Sequence, residues 1–415
     1  MFGRLAKSVL KAALFGSLLT RLCLPAEAMT TTDEAGPSAI HEGEGAAAAI
    51  VPAAFTPAET IRRAGDTSVP QQQVTVALLL PLRSGTLREA AEVVRAGFQA
   101  AYEREYDHIT VNIIETDDTP QDILAGYGTA SAQADIIVGP LSRAGVTAIV
   151  LAGVVEKPTL ALTPPDHTVD DNTASKLPAK LLAMGLSIEE EARQVADWAG
   201  KGHANAAALV LFTKQPWQRR AAKAFELQWQ RNGGQAEVIE LGANDGFLNG
   251  RALLQLKKQI RNDASQTIFL ALDAHQARQV RAMIGPHPAL YGTSQANPLV
   301  LSAGGQTGRS DDMDGMHLLD MPWQLQPDHP AVMAYSRMNL EAGRTPDADL
   351  ERLYALGIDA YRVAREIAAQ RTRFDLDGVT GKLSVRYEAD GAHFVRTEQQ
   401  AVYRDGIVMP EEELR

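Results

Sequence analysis

Residues 74–104 read VTVALLLPLRSGTLREAAEVVRAGFQAAYER, and no other segment constrains the fold as tightly. A nearly all-apolar run, 74–80, meets a turn over 81–85, and a helical pattern begins at once. An apolar run of that length suits a parallel strand covered on both faces. Thr86 and Glu89 stand in the T-x-x-E spacing of a capping box, which would satisfy the free amides of a helix start. Leu87, Ala91, Val94, Phe98 and Ala101 then recur at helical spacing and would face the sheet. Strand, short polar loop and helix form the opening unit of an open α/β sheet, whose ligands bind at the carboxyl ends of strands.

The same alternation continues along the chain. Strands are expected over 109–115, 135–138 and 158–163, with helices over 123–132 and 144–155 between them. This spacing is that of a parallel sheet. A second series follows a boundary near 184–187. Ser187 and Glu190 form another capping box, opening a helix over 188–199. Strands over 206–212, 237–241 and 267–272 alternate with helices over 217–231, 251–261 and 274–284. The remaining residues hold strand-like 299–302 and 316–319 and helices over 330–341 and 350–370. A final strand pair, 381–387 and 392–403, is joined through an Asp-Gly turn. This remainder is too short for a third domain and is expected to complete the two sheets. The expected fold class is therefore α/β, with two Rossmann-like lobes joined by a multi-crossing hinge. The division expected is 71–186 plus 290–370 for the first lobe, and 187–289 plus 371–410 for the second.

The first 70 residues stand apart. Arg4, Lys7 and Lys11 precede a short apolar stretch over 12–19, and Ala26-Glu27-Ala28 has the A-x-A form of a cleavage site. That is the pattern of a secretory signal over 1–28, too short to span a bilayer. Residues 29–70 are rich in Ala, Thr, Glu, Gly and Pro and read as a flexible tether. The single cysteine, Cys23, follows Thr20-Arg21-Leu22, a poor lipobox, so a lipid anchor is weakly supported. Cleavage after Ala28 would leave no cysteine, and hence no disulfide or thiolate chemistry. No other stretch resembles a transmembrane helix. The formal charge is −11. Removing the signal's four basic residues and one acid takes it to −14. An acidic surface argues against nucleic-acid partners.

Enzyme signatures are missing. Gly304-Gly305 to Gly308 lacks the lysine and spacing of a phosphate loop. There is no G-x-S-x-G and no S-x-x-K with its partners. The nine histidines are scattered, and His317 in its apolar run reads as a core histidine. Asp311 to Gly315 fails the spacing of a calcium loop and reads as a solvated acidic loop. Neither a cofactor nor a metal is expected.

Several segments resemble a known family. Leu80-Pro81-Leu82, Ile136-Ile137-Val138-Gly139-Pro140-Leu141, Leu160-Ala161-Leu162-Thr163-Pro164 and the late segment 374–383, FDLDGVTGKL, resemble type I periplasmic binding proteins. Asp320-Met321-Pro322-Trp323 after Gly315-Met316, with the strand near Phe394-Val395-Arg396, resembles the penicillin-binding-protein activator branch, the LpoA or LppC type. The resemblance covers 73 to about 408. It implies a two-lobed periplasmic, non-enzymatic regulator that binds a class A penicillin-binding protein and stimulates peptidoglycan synthesis. Longer members carry a helical-repeat domain where this chain has its tether, and they are lipid-anchored. The alternative is a periplasmic solute-binding protein of an ABC transporter, for an amino acid or other small polar ligand.

On either reading the interlobe cleft is the default ligand site. By the strand-end rule the first lobe would offer Arg83, Ser84, Gly139, Pro140, Ser142 and Thr163, and the second Thr213, Trp217 and Asp273. Tyr291, Thr293 and Ser294 lie near the return crossing. Ser142 equally suits a helix cap and Trp217 a packing role. Arg83 and Arg143 suit an anion or an exposed rim.

Overall fold

The computed structural model describes residues 73–105, 108–166, 177–201, 207–260, 267–302, 305–338, 347–388 and 391–411. The expected signal, tether and Cys23 lie outside the described residues.

Two sheets organise the chain. The first is wholly parallel, in the order β2-β1-β3-β4-β5, where β1 is Val74–Leu80, β2 Ile109–Glu115, β3 Ile136–Val138, β4 Thr159–Ala161 and β5 Leu181–Ala183. β1 is central, with Val76 to Leu80 buried, as its uninterrupted apolar run requires. The helices α1 (Arg88–Arg104), α2 (Pro120–Gln133) and α3 (Arg143–Leu151) alternate with these strands. α2 and α3 bury Ile123, Tyr127, Val146 and Ile149 against one face, while α1 buries Val94 and Phe98 against the other.

The second sheet has seven strands. Strand β7 (Gln235–Glu240) forms one edge, followed by β6 (Ala207–Phe212), Thr267–Ala271, Leu290–Gly292 and Met316–Asp320, all parallel. Gln399–Arg404 and Ile407–Pro410 then add antiparallel strands. α4 (Ile188–Ala199) and α5 (Pro216–Arg231) cover one face through Val195, Phe225 and Trp229. Among the described residues no helix is long and apolar enough to cross a membrane.

The chain divides between the sheets differently from the expected division. Leu290–Gly292 and Met316–Asp320, expected in the first lobe, pair within the second sheet. Arg373–Asp377, Lys382–Glu388 and Gly391–Thr397, expected in the second lobe, form a three-stranded antiparallel sheet. Phe374, Val379, Leu383 and Val385 bury its apolar face in the first lobe's core. The expected strand 392–403 is therefore two strands in two different sheets, broken at Glu398. The expected helix 330–341 is a single turn, Pro330–Met333.

The long helix Ala348–Ala368 also joins the first core, lying against α1. It starts at Asp347, whose carboxylate accepts from the amides of Asp349 and Leu350. The two backbones touch at glycines. A Cβ on Gly97 would lie 1.9 Å from the Tyr354 carbonyl oxygen, and one on Gly357 2.2 Å from that of Val94. Phe98 packs edge-on to Tyr361 at 5.3 Å beside this contact.

Helix starts follow local chemistry. Ser187 accepts from the Glu190 amide and caps α4, although the Glu190 carboxylate pairs with Arg193 rather than reaching back. The Thr86 and Glu89 box does not form: α1 begins at Arg88 without a side-chain cap. Ser84 Oγ instead accepts from the amides of Thr86 and Leu87, while the Thr86 hydroxyl donates to Asp118. The carboxylate of the facing loop outcompetes the helix end for that hydroxyl.

Candidate functional site

Three crossings join the lobes: 184–187 between β5 and α4, Asp320-Met321 at the end of Met316–Asp320, and Glu398 between Gly391–Thr397 and Gln399–Arg404. They meet at a cavity of about 330 Å³. Each crossing contributes to its lining: Leu186, then Asp320 and Met321, then Glu398. Ile188, Trp217 and Leu353 add apolar wall. Arg143, Glu191, Arg220, Ser294, Gln295, Asp349 and Arg352 add polar wall. First-lobe helices and second-lobe helix starts thus face each other across it.

Arg352 is the central cation, with 4% of its surface exposed. It holds the fully buried Asp320 bidentately, through Nε to Oδ1 at 3.1 Å and Nη2 to Oδ2 at 2.7 Å. Nη2 also donates to the carbonyls of Ser294 and Asn297, and Nη1 to Asp349. Asp320 accepts further bonds from Asn297 Nδ2 and from the Met321 amide. Burial disfavours the Arg352 charge, but the Asp320 carboxylate outweighs it and holds the guanidinium above its ordinary range. A buried, bidentate pair of this kind leaves little of the guanidinium's charge for a ligand carboxylate.

Arg143 and Arg220 converge on a second acid. Arg143 Nη2 lies 3.1 Å and Arg220 Nε 2.7 Å from the carboxylate of Glu189, which is 6% exposed. Burial pushes this carboxyl up, yet Arg143 and then Arg220 hold it below the usual range. Arg143 starts α3 in the first lobe, so this pair ties the lobes together.

Glu191 and Glu398 are less well matched. The Glu191 carboxylate accepts from the amide and hydroxyl of Ser294 at 2.8 and 3.1 Å. Burial nevertheless raises it to about 7, with Asp320 adding repulsion. Glu398 is 9% exposed, and its Oε2 is buried without a hydrogen-bond partner among the described residues. Burial, then the neighbouring Glu191, pushes its carboxyl well above the ordinary range. Arg396, from the strand before this crossing, is committed elsewhere. It donates to the carbonyls of Met184 and Gly185 and to the Thr380 hydroxyl.

Of the twelve residues expected at the cleft, Trp217 and Ser294 line the cavity. Arg83 is exposed and pairs with Asp122 at 2.6 Å. Ser84 closes its own loop, and Ser142 caps α3 by accepting from the Gly145 amide. Gly139, at φ +118°, and Pro140 form the turn after β3, where the Leu79 carbonyl leaves no room for a Cβ. Thr163 backs the first crossing, 2.4 Å from where a Gly185 Cβ would stand. The Thr213 amide and hydroxyl donate to Gln218, which donates in turn to Gln276. Asp273 caps Ala274–Ile284. Tyr291 stacks on His317 at 5.0 Å, with Trp198 edge-on to both rings. Thr293 is fully buried.

The other residues of the site carry different sequence signals. Glu189 and Glu191 sat in a helix's first acidic turn, and Asp320 in the D-M-P-W element. That element is structural at its far end: Trp323 is fully buried and donates to Glu351 at 2.7 Å, with the Arg337 guanidinium 4.1 Å from its ring centre. The D-G-x-T-G element is likewise held by Asp359, which accepts from the amides of Val379 and Thr380 and from the Thr380 hydroxyl. Among the described residues no group of acids, histidines or cysteines is arranged to hold a metal ion. The acidic loop is tied down through Arg278 to Asp312 at 2.9 Å and the Gly406 amide to Asp314.

Comparison with known proteins places this geometry. The family model described as "LppC putative lipoprotein" matches residues 42–393. The penicillin-binding protein activator LpoA of Photobacterium profundum is 26% identical over 344 residues, covering 75% of this chain and 53% of that protein. The chain thus spans about half the length of the curated relatives it matches. A solved structure titled "LpoA (YraM) C-domain from Haemophilus influenzae, a regulator of PBP1A" superposes at TM-score 0.63, with 23% identity, over 81% of this chain and all of that one. A structure titled "putative branched-chain amino acid ABC transporter", from Chromobacterium violaceum, superposes at TM-score 0.60, with 32% identity, over 80% of this chain and all of that one. Both neighbours share the two-lobed α/β fold.

Proposed function

This chain belongs to the LppC family, and on that footing we propose that it is a periplasmic, non-enzymatic regulator that binds a class A penicillin-binding protein and stimulates peptidoglycan synthesis. The family match over 42–393 carries the reading. In this reading residues 1–28 deliver the protein to the periplasm, and the tether gives the two-lobed body reach. Docking on the synthase is the mechanism, and a small ligand in the interlobe cavity would bias the lobe angle that the synthase meets.

The likeness to a chain titled as a transporter component keeps solute uptake as a second reading. The cavity counts against an amino-acid cargo. Its most buried lining cation, Arg352, is already paired with Asp320 and donates to two carbonyls, so a ligand carboxylate would meet the repulsion of the neighbouring acids.

Surface-binding measurements of the purified chain against a panel of class A penicillin-binding proteins test the main reading. The expected result is saturable binding to at least one, with a faster glycan polymerisation rate. Binding to none would sink it. Intact-mass measurement of the processed chain distinguishes cleavage after Ala28 from lipidation at Cys23.

A further inference from the structure

The cavity's chemistry narrows what a ligand there must be. Facing one another are three acids, Glu191 from α4, Asp320 from the second crossing and Glu398 from the third. Against them stand two cations, Arg352 from the long helix and Arg396 from Gly391–Thr397. Each of the five is at most 9% exposed. Arg352 is paired with Asp320, and Arg396 donates to two backbone carbonyls and Thr380. Asp359 lies behind Arg396, and the more exposed Asp349 flanks Arg352. The remaining lining cations, Arg143 and Arg220, are held by Glu189. Across the lining, four acids, Glu191, Asp320, Asp349 and Glu398, stand against three cations, Arg143, Arg220 and Arg352, a formal surplus of one negative charge, and Oε2 of Glu398 is buried without a hydrogen-bond partner among the described residues. The cavity's apolar wall is Leu186, Ile188, Trp217, Met321 and Leu353.

We propose that this cavity is a binding site for a small organic cation, an ammonium group on a short apolar body, with the charge seated against Glu398 and Glu191 and the body against Trp217 and Met321. The ammonium supplies both the donor that Oε2 lacks and the positive charge that the acids lack. The Trp217 ring offers the apolar body a flat aromatic wall. A volume of about 330 Å³ lies at the small end of the ~300–1,000 Å³ range of ligand pockets, which restricts the body to a few carbons. Both acids hold their protons more tightly than an ordinary carboxyl, so seating the ammonium displaces protons to solvent, and proton and ligand compete. The proposal rests on reading the interlobe cavity as a ligand site, and it does not require that the synthase bind.

Thermal unfolding of the full chain tests it with n-butylammonium chloride as probe. Potassium chloride, n-butanol and sodium butyrate serve as matched controls. At about pH 8 the midpoint should rise by about 2 °C or more at tenfold excess over Kd. None of the controls should raise it. As pH is lowered and the two raised acids take up protons, apparent affinity should fall by up to about tenfold per pH unit. Glu398→Gln removes a crowded buried charge and keeps the shape, so it should fold and lose the amine response. Overturning results are no rise with the amine, an equal rise with butanol, a rise with butyrate instead, or an unchanged response in E398Q. Failure of synthase binding beside a clear amine response would remove the regulator reading alone, and the reverse pattern would remove this one alone.

Discussion

Two carboxylates in the first turn of one helix behave in opposite ways. Glu189 and Glu191 are buried to nearly the same degree, at 6% and 5% exposure. Glu189 faces two arginines and is held below its ordinary range, so it is charged whenever the protein is folded near neutral pH. Glu191 faces Asp320, Ser294 and an arginine already engaged, and it is raised to about 7. Burial pushes both upward, and the supply of uncommitted positive charge decides whether it wins. The first acid clamps the lobes, while the second belongs to a corner of the hinge whose charge is unfinished.

The sharpest break in that contrast should come from Arg352→Met. It strips the partner from Asp320 and leaves every acid of the corner facing the others. Removal of one member of a buried pair costs about 3–5 kcal/mol. Urea unfolding near pH 7.5 should show a loss of that size, shrinking at lower pH as the acids protonate. A loss below about 1 kcal/mol would mean that the corner is far wetter than its exposure indicates.

Next in size is a pH effect of known sign. Glu191 binds its proton more tightly folded than unfolded, so the folded state holds the extra proton between about pH 4.5 and 7. Its contribution is complete below the unfolded value and fades as pH rises to about 7, on the order of 3 kcal/mol in all. Glu189 runs the other way, contributing above its unfolded value and losing that contribution as pH falls through its lowered folded one. Glu191→Gln should therefore gain stability over the parent chain as pH rises from 5 to 8. Parallel pH-stability curves for the two proteins would remove the distinction between the carboxylates.

The smallest effects belong to the clamp. Glu189→Gln leaves Arg143, whose side chain is 20% exposed, short of its counter-charge, and about 1–2 kcal/mol should be lost. Arg220 is 41% exposed on its side chain, so Arg220→Ala should cost less than about 1 kcal/mol. The paired measurement sets one arm against the whole clamp: a loss for Arg220→Ala as large as that for Glu189→Gln would move the clamp's weight from the interlobe contact to α5.

The strand and helix sequence was readable because β1 and α1 carry uniform periodicities over long runs. The continuous apolar run of Val74 to Leu80 and the helical recurrence to Ala101 each point to one structure. The cap of α4 at Ser187 was readable for the same reason, since its chemistry is local. The failures are all non-local. Thr86 had the spacing of a cap, and Asp118, thirty-two residues on, took its hydroxyl. The run 392–403 stays extended throughout, so nothing in its pattern marks Glu398 as the point where it changes sheets. The hinge acids come from α4, the second crossing and the third, and in sequence each resembles an ordinary surface charge or strand end. Their meaning arises only from being brought to one cavity, which a periodicity cannot encode.

The interleaving of the lobes also bears on how the chain is made. The first lobe's core needs the helix Ala348–Ala368 over α1, and the second sheet needs Gln399–Arg404 beside Met316–Asp320. A nascent chain that has reached residue 300 exposes Val94, Phe98 and the glycine seam at Gly97 with nothing to cover them. Neither lobe can close as an independent folding unit during synthesis, and both must wait for the last hundred residues. Premature termination there strands two half-built cores rather than one finished lobe, and any excision of a single lobe has to splice together distant segments instead of cutting the chain once.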